Sequence, residues 1–261
     1  MSEMTINGTT SRESATGNVL EVHNAVKRFG AVTAVNDVSF TLCRGEVLAL
    51  LGDNGAGKST MIKSICGVVE LDEGEILLDG RPVQLRSPGD ARLHGIETVY
   101  QDLSLFEDLG AVANLFAGRE LGTPRWPKSA SWLSSRRMNA QAKEILDRLE
   151  VYLPGVQSPV RLLSGGQRQA IAVARAVHFA TRLVILDEPT AALGVRETRN
   201  VLRMVKRLPE HGISVILISH NLDQVAEVAD RVVVMRRGRK VGEARPDPAS
   251  HDEIIRMIVG G

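Results

Sequence analysis

Cysteine is nearly absent, aromatic residues are few, and no apolar run is long. Only Cys43 and Cys66 occur in 261 residues, far apart and outside any Cys-x-x-Cys pair. That spacing argues against a disulfide framework or a zinc cluster and fits a reducing cytoplasm. The longest apolar stretches are strand-sized, such as Val215-Ile216-Leu217-Ile218, whereas a helix crossing a bilayer needs roughly 18 to 20 apolar residues. Neither sign of charge is in excess, with 32 Lys and Arg facing 31 Asp and Glu. No global field draws the chain to nucleic acid, so no nucleic-acid partner is expected and any partner is recognised locally. Residues 1–17 are rich in Ser, Thr, Gly and Glu and lack the basic start and apolar centre of a signal peptide, which reads as a loose tail.

What is present is enough chain to bury a substantial core, organised as one α/β domain with a subdomain over residues 18–261. From Leu20 to Phe29 and from Val35 to Leu42, apolar and polar residues roughly alternate, predicting half-buried antiparallel strands. Val47-Leu48-Ala49-Leu50-Leu51 is apolar at every position, as a strand covered on both faces should be. Residues 104–160 carry apolar positions at helical spacing and few strand signals, which predicts a helical insertion. A loop near Trp126 and Trp132 lies within it, and the two rings are expected to pack on that subdomain. After Ser164, helices and strands alternate regularly: a helix over about 166–180, strands at 183–186, 213–218 and 232–235, and helices between and after them. This alternation predicts a mainly parallel sheet with ligands at the carboxyl ends of its strands. The basic run Arg236-Arg237-Gly238-Arg239-Lys240 is short and holds a turn glycine, so it reads as a solvated hairpin.

Between the fully apolar strand and the next helix stands Gly52-Asp53-Asn54-Gly55-Ala56-Gly57-Lys58-Ser59, with Thr60 following. This is the P-loop pattern. Its glycines let consecutive backbone N–H groups wrap a phosphate, while the helix behind presents its positive end to the same anion. Lys58 is placed to reach the outer phosphates and the Ser59 hydroxyl to ligate Mg²⁺, so the expected ligand is a purine nucleoside triphosphate. A second strand, Leu183 to Leu186, ends in Asp187-Glu188. There Asp187 can hold Mg²⁺ through its water shell, and Glu188 can face the γ-phosphate and activate the attacking water.

The most specific stretch is Leu163-Ser164-Gly165-Gly166-Gln167, about twenty residues before the Asp-Glu strand. It supplies a hydroxyl, glycine N–H groups and a helix N-terminus, a second set of anion-binding elements. With it the chain resembles the ATP-binding-cassette (ABC) ATPases. The resemblance implies an α/β fold in which a P-loop NTPase core is joined by an antiparallel β subdomain and an α-helical subdomain. It also implies ATP and Mg²⁺ as cofactors and a head-to-tail homodimer, each ATP lying between the P-loop of one copy and the signature of the other. By the same resemblance Phe29 falls where an aromatic stacks on adenine, and Gln101 where a glutamine links Mg²⁺ and the attacking water to the helical lobe. His220 falls where a histidine contacts the γ-phosphate and Glu188.

One position departs from the family pattern. Where the usual continuation after Asp187-Glu188-Pro189-Thr190 ends in Leu-Asp, this chain reads Ala191-Ala192-Leu193-Gly194, and a looser interface is expected there. The segments Tyr100-Gln101-Asp102-Leu103, Asn114 to Glu120 and Thr190 to Val195 are similar to those of ribose- and fructose-type monosaccharide importers. That likeness implies an ATP-hydrolysing subunit docked peripherally on the cytoplasmic face of the cell membrane. Its partners would be integral-membrane permease subunits, a second copy of itself and, indirectly, a solute-binding protein. A cassette serving another solute, or a non-transport cassette of translation or DNA maintenance, remains the alternative.

Overall fold

A computed structural model describes residues 17–123, 132–191 and 193–260. Of the expected tail, only Gly17 lies among them; its carbonyl accepts the Arg44 N–H at 3.1 Å. Asn18–Phe29 (β1) and Val32–Cys43 (β2) form a long antiparallel hairpin with Phe29 opposite Val32 at its tip. Val47–Leu51 (β3) is buried at all five positions and runs through the glycine loop into Lys58–Ile65 (α1). This helix is shorter than apolar content alone suggests. Gly67 takes a left-handed φ of 69°, and any side chain there would collide with the Ser87 carbonyl, so the chain turns at Cys66.

Glu73–Leu78 (β4) pairs antiparallel with β1, and Arg81–Val83 (β5) with β4, completing a four-stranded sheet of order β2-β1-β4-β5. Pro88–Leu93 (α2) follows, a short helix not anticipated from periodicity. Its signals are local: Pro88 stands at the first helical position, and the Ser87 Oγ accepts the Asp90 N–H at 3.2 Å. Ile96–Val99 (β6) then leads to the helical segment, which holds Ala111–Phe116 (α3) and Ser135–Arg148 (α4). Contrary to the expectation of few strands there, Gly122–Thr123 (β7) and Trp132–Leu133 (β8) pair as a small hairpin. Trp126 lies outside the described residues, as does the side chain of Trp132. Asn114 is fully buried in α3 yet well satisfied: its Oδ1 accepts the Phe106 N–H at 2.8 Å, and its Nδ2 donates to the Phe106, Leu109 and Gly110 carbonyls.

The remaining elements alternate: Gly165–Phe179 (α5), Leu183–Asp187 (β9), Val195–Arg207 (α6), Ser214–Ile218 (β10), Leu222–Val228 (α7), Arg231–Arg236 (β11), Arg239–Ala244 (β12) and His251–Val259 (α8). They build a six-stranded sheet of order β12-β11-β3-β10-β9-β6, parallel throughout except for β12. One apolar core joins α3 to α6 with one face of this sheet. A second joins α1 and the β1–β2 hairpin with the other. Where the two sheets meet, Arg231 reaches the Thr41 carbonyl and the carboxylates of Glu46 and Glu243. Both cysteines are free. Among the described residues no helix is long and apolar enough to cross a membrane.

The consequence for function is positional. The parallel strands β3, β10, β9 and β6 end side by side at one edge, delivering Gly52, His220, Asp187-Glu188 and Tyr100-Gln101 to it in that order.

Candidate functional site

The P-loop is shaped by positive φ angles at Gly52 (144°), Gly55 (81°) and Gly57 (98°), conformations that side chains with a Cβ resist. Gly57 is the N-cap of α1, whose first turn carries no acidic residue, so nothing competes with an incoming anion for the helix end. The Lys58 ammonium lies across the loop and donates to the Gly52 carbonyl at 2.5 Å and the Asp53 carbonyl at 3.1 Å. Burial lowers its pKa, and the charges of Glu188, Asp187 and Asp53 oppose that shift. Lys58 therefore feels both carboxylates of the neighbouring strand end, although they are about 130 residues away in sequence. Ser59 is exposed at the mouth of the loop.

Asp187 sits at the end of β9, and burial followed by the charge of Glu188 raises its pKa above the usual carboxylate range, against the pull of Lys58 and Lys63. A carboxylate held at this cost is poised to gain from a cation. Glu188 has a left-handed φ of 50°, rare for a residue with a side chain. Its N–H is fixed by the Ile218 carbonyl at 3.0 Å and its carboxylate by His220 Nδ1 at 2.9 Å. Facing a carboxylate, His220 Nδ1 carries the proton, which leaves Nε2 turned to the open side, where the imidazole is mostly exposed. Gln101 is exposed on the loop after β6, one strand beyond Asp187. Phe29 is 50 % exposed at the β1–β2 tip, so its ring is available as a platform and is no part of the core.

The signature stretch lies elsewhere. Ser164 is the N-cap of α5 in a full capping box: its Oγ accepts the Gln167 N–H at 3.2 Å, and the Gln167 side chain accepts the Ser164 N–H at 2.9 Å. Of its two glycines, Gly165 lies against the loop that follows Glu188 and Gly166 against the first turn of α6. A Cβ on Gly165 would come within 3.3 Å of the Leu193 side chain, and one on Gly166 within 2.5 Å of the Glu197 Cβ. Ser164, Gly166 and Gln167 also line a cavity of about 680 Å³ between α5, α6 and the segment Leu149 to Tyr152 after α4; it contains no P-loop residue. One chain thus brings together Gly52 to Thr60, Asp187, Glu188 and His220, and holds Ser164 to Gln167 apart from them at the start of α5.

A family profile described as an ABC transporter matches residues 35–191. The chain belongs to this family. The cassette is 44 % identical to the xylose/arabinose import ATP-binding protein of Sulfolobus acidocaldarius over 92 % of its own length and 94 % of the relative's. It is 45 % identical to the fructose import ATP-binding protein of Rhizobium meliloti over 93 % and 94 %. A solved ATP-binding cassette of an ABC transporter in its ADP conformation superposes with a TM-score of 0.80 at 26 % identity, covering 94 % of this chain and all of that one.

Glu197 was not singled out by the sequence, because an acidic residue in the first turn of a helix is ordinary. The cassette's structure gives it a part in the Gly194 departure. Gly194 has an ordinary extended backbone, φ −69° and ψ 165°, so backbone conformation does not demand glycine. A Cβ there would meet Glu197 Oε2 at 2.7 Å, the far end of a flexible side chain that can swing aside. Gly194 leaves room for a carboxylate that arrives from three residues on. Gly194→Asp would set a second carboxylate beside that of Glu197, so repulsion is expected to offset part of the roughly 1 kcal/mol that an Asp N-cap normally contributes, and the full gain should appear once Glu197 is cut to Ala. Urea unfolding of the two single variants and the double variant measures that coupling; additive effects would show that the two positions do not interact.

Proposed function

We propose that this cassette, taken as one unit over residues 18–261 with a helical lobe at 104–160, binds and hydrolyses ATP in head-to-tail pairs and thereby drives import of a monosaccharide. The observation that carries the paired mechanism is the separation just described. The P-loop and its carboxylates share one sheet edge, while the second anion-binding end, Ser164 to Gln167, packs on the far side of the loop after Glu188. A second copy turned end for end supplies the missing half.

The donor set suits Mg²⁺. The Ser59 hydroxyl and the Asp187 carboxylate are hard oxygens beside a phosphate cradle, and this ion keeps most of its shell as water and phosphate. When bound, the ion neutralises charge on the β- and γ-phosphates. In this reading Lys58 leaves its own loop carbonyls for phosphate oxygens, and Phe29 stacks on the base. Glu188 then accepts a proton from the attacking water, and His220 Nδ1 keeps the Glu188 carboxylate aimed. Gln101 carries the state of the site to the helical lobe.

The same joint offers a place for the permease. A groove of about 540 Å³ opens where the sheet meets the helical lobe, running past Tyr100, Asp102 and Leu103 to Phe179. Its walls carry Arg119, held to Glu97 at 2.5 Å, and Arg175, which donates to the Leu103 and Ser104 carbonyls. A partner segment seated there touches the loop that bears Gln101, so docking and hydrolysis are coupled mechanically at the cytoplasmic face of the membrane. The sugar assignment rests on the likeness to the xylose/arabinose and fructose import proteins. ATPase activity of the chain reconstituted with its permease and binding protein should rise with one monosaccharide of a panel. Stimulation by an amino acid or lipid alone, or full activity on ribosomes or DNA without any permease, would replace this reading by its alternatives.

A further inference from the structure

The basic run at 236–240, expected to be a solvated hairpin, has its turn against the back of the P-loop. Arg236 pairs with Arg239 across a two-residue turn in which Arg237 (φ 48°) and Gly238 (φ 77°) are both left-handed, a tight primed geometry whose twist matches the flanking strands. The Gly238 N–H donates to the Ala56 carbonyl in the middle of the P-loop at 3.0 Å. The Gly238 carbonyl in turn accepts the Asn36 N–H at 2.7 Å. A side chain on Gly52 would collide with the Met235 carbonyl, and one on Gly57 would collide with the Ala34 carbonyl and come within 3.3 Å of the Gly238 Cα. The P-loop is thus touched from behind near its start, its middle and its end.

This matters because an anion nest aims several N–H dipoles at one point. Without an anion those dipoles repel, and a free loop relaxes away from the shape that binds. The relaxed loop must then be reordered at each binding event, which weakens affinity. We propose that the Gly238 amide is a positioning group for nucleotide binding, one that holds the P-loop in its phosphate-ready shape from behind. It acts through the Ala56 carbonyl and touches no phosphate itself. The turn is anchored in its place by neighbours on both sides: Lys240 Nζ donates to the Ser39 carbonyl at 3.1 Å, and Arg236 Nη1 to the Met257 carbonyl of α8 at 3.3 Å.

The test uses the full chain and the fluorescent probes mant-ATP and mant-ADP, with thermal melting of the nucleotide-free protein in parallel. The 3.0 Å approach of a Cβ to the Ala34 carbonyl is common to every variant at 238, but a β-branched residue resists the φ of 77° there far more than asparagine does, so Gly238→Val must shift the turn. Its Kd for both probes is expected to rise about tenfold as the loop loses its brace, and turnover at saturating ATP to stay within about twofold of wild type, a KM effect without a kcat effect. Gly238→Asn, which tolerates left-handed φ and keeps the N–H, should bind within about threefold of wild type. Should the Val variant not fold, Gly238→Ala replaces it with a smaller rise expected. Arg237→Gln removes a charge from the same turn while leaving the amide in place, and should not weaken binding. Unchanged affinity in a folded Val or Ala variant, or an equal loss in Arg237→Gln, would overturn the brace. The inference rests on the P-loop as the nucleotide site, and failure of the wild-type chain to bind either probe would overturn that reading instead.

Discussion

Glu188→Gln is expected to lower ATP turnover by about 10²- to 10⁴-fold, the contribution of a positioned base, and to leave two copies of the chain closed on uncleaved ATP. The geometry gives both halves of this result. The carboxylate is aimed by a left-handed backbone, by the Ile218 carbonyl on its N–H and by His220 at 2.9 Å. Glutamine keeps the shape, the backbone and one oxygen for His220, and loses only the capacity to take a proton. Removing a negative charge beside Asp187, whose protonated form is already favoured by burial and by Glu188, also makes the site less repulsive to triphosphate. Affinity for ATP should therefore hold or improve while hydrolysis fails. Sizing with saturating Mg-ATP checks the second half: a dimer that needs ATP supports the paired mechanism. A monomer under those conditions would remove the role given to Ser164 to Gln167, and near-normal turnover would remove Glu188 as the base.

The parts of this site that were legible in the sequence are those whose chemistry is local. The P-loop declares itself because glycines, Lys58 and Ser59 occur together in one turn between a wholly apolar strand and a helix. Asp187-Glu188 does so because two carboxylates directly after an apolar strand need a reason to be there. The β1–β2 hairpin and the parallel core were readable for a similar reason, since alternation and continuous apolarity are both set by which faces of a strand are buried. The short α2 could have been read from Ser87, Pro88 and Asp90, a cap signal that periodicity does not register.

What could not be read depends on packing between distant segments. Glu197 looks like any acidic residue at a helix start until α5 and α6 are side by side and Gly166 is found clearing space for its stem. The Gly238 turn lies 182 residues from Ala56, and nothing in the run of basic residues announces that its backbone touches the P-loop. Phe29 was ambiguous between core and platform because a phenylalanine serves either; its exposure at the hairpin tip takes it out of the core. In each case the residue type was compatible with several environments, and the topology selected one.

The same dependence on assembly makes Arg231 a position where a single change should cost much stability. Its guanidinium donates to Glu46 Oε1 at 2.7 Å, to the Thr41 carbonyl at 2.6 Å and to Glu243 Oε2 at 2.7 Å, joining the ends of β2 and β11 with β12 and the turn before β3. Glu46 is only 9 % exposed, and its other oxygen accepts the Cys43 N–H at 2.7 Å. Burial alone would lower the pKa of Arg231, but hydrogen bonds and charge from Glu46 and Glu243 outweigh it and hold the proton more firmly. Arg231→Met keeps the apolar stem and deletes the charge, leaving Glu46 buried and unpaired. Breaking such a pair from one side costs about 3–5 kcal/mol, and the lower end applies here because Arg231 is partly exposed. That corresponds to a fall in melting temperature of about 6–12 °C for a chain of this length. The pH dependence has a definite sign. Burial opposes ionisation of Glu243, but Lys240 and Arg231 hold its pKa below the usual value, so the stability it gives wild type is present at neutral pH and is lost as pH falls through that lowered pKa. The stability gap should therefore hold from pH 7 to pH 5 and narrow as pH falls below the ordinary Glu value of 4.5, and Glu46→Gln combined with Arg231→Met should recover part of it at neutral pH. A gap that stays constant with pH, or a double variant no more stable than Arg231→Met alone, would mean that Arg231 acts through packing of its stem and not through the charge it neutralises.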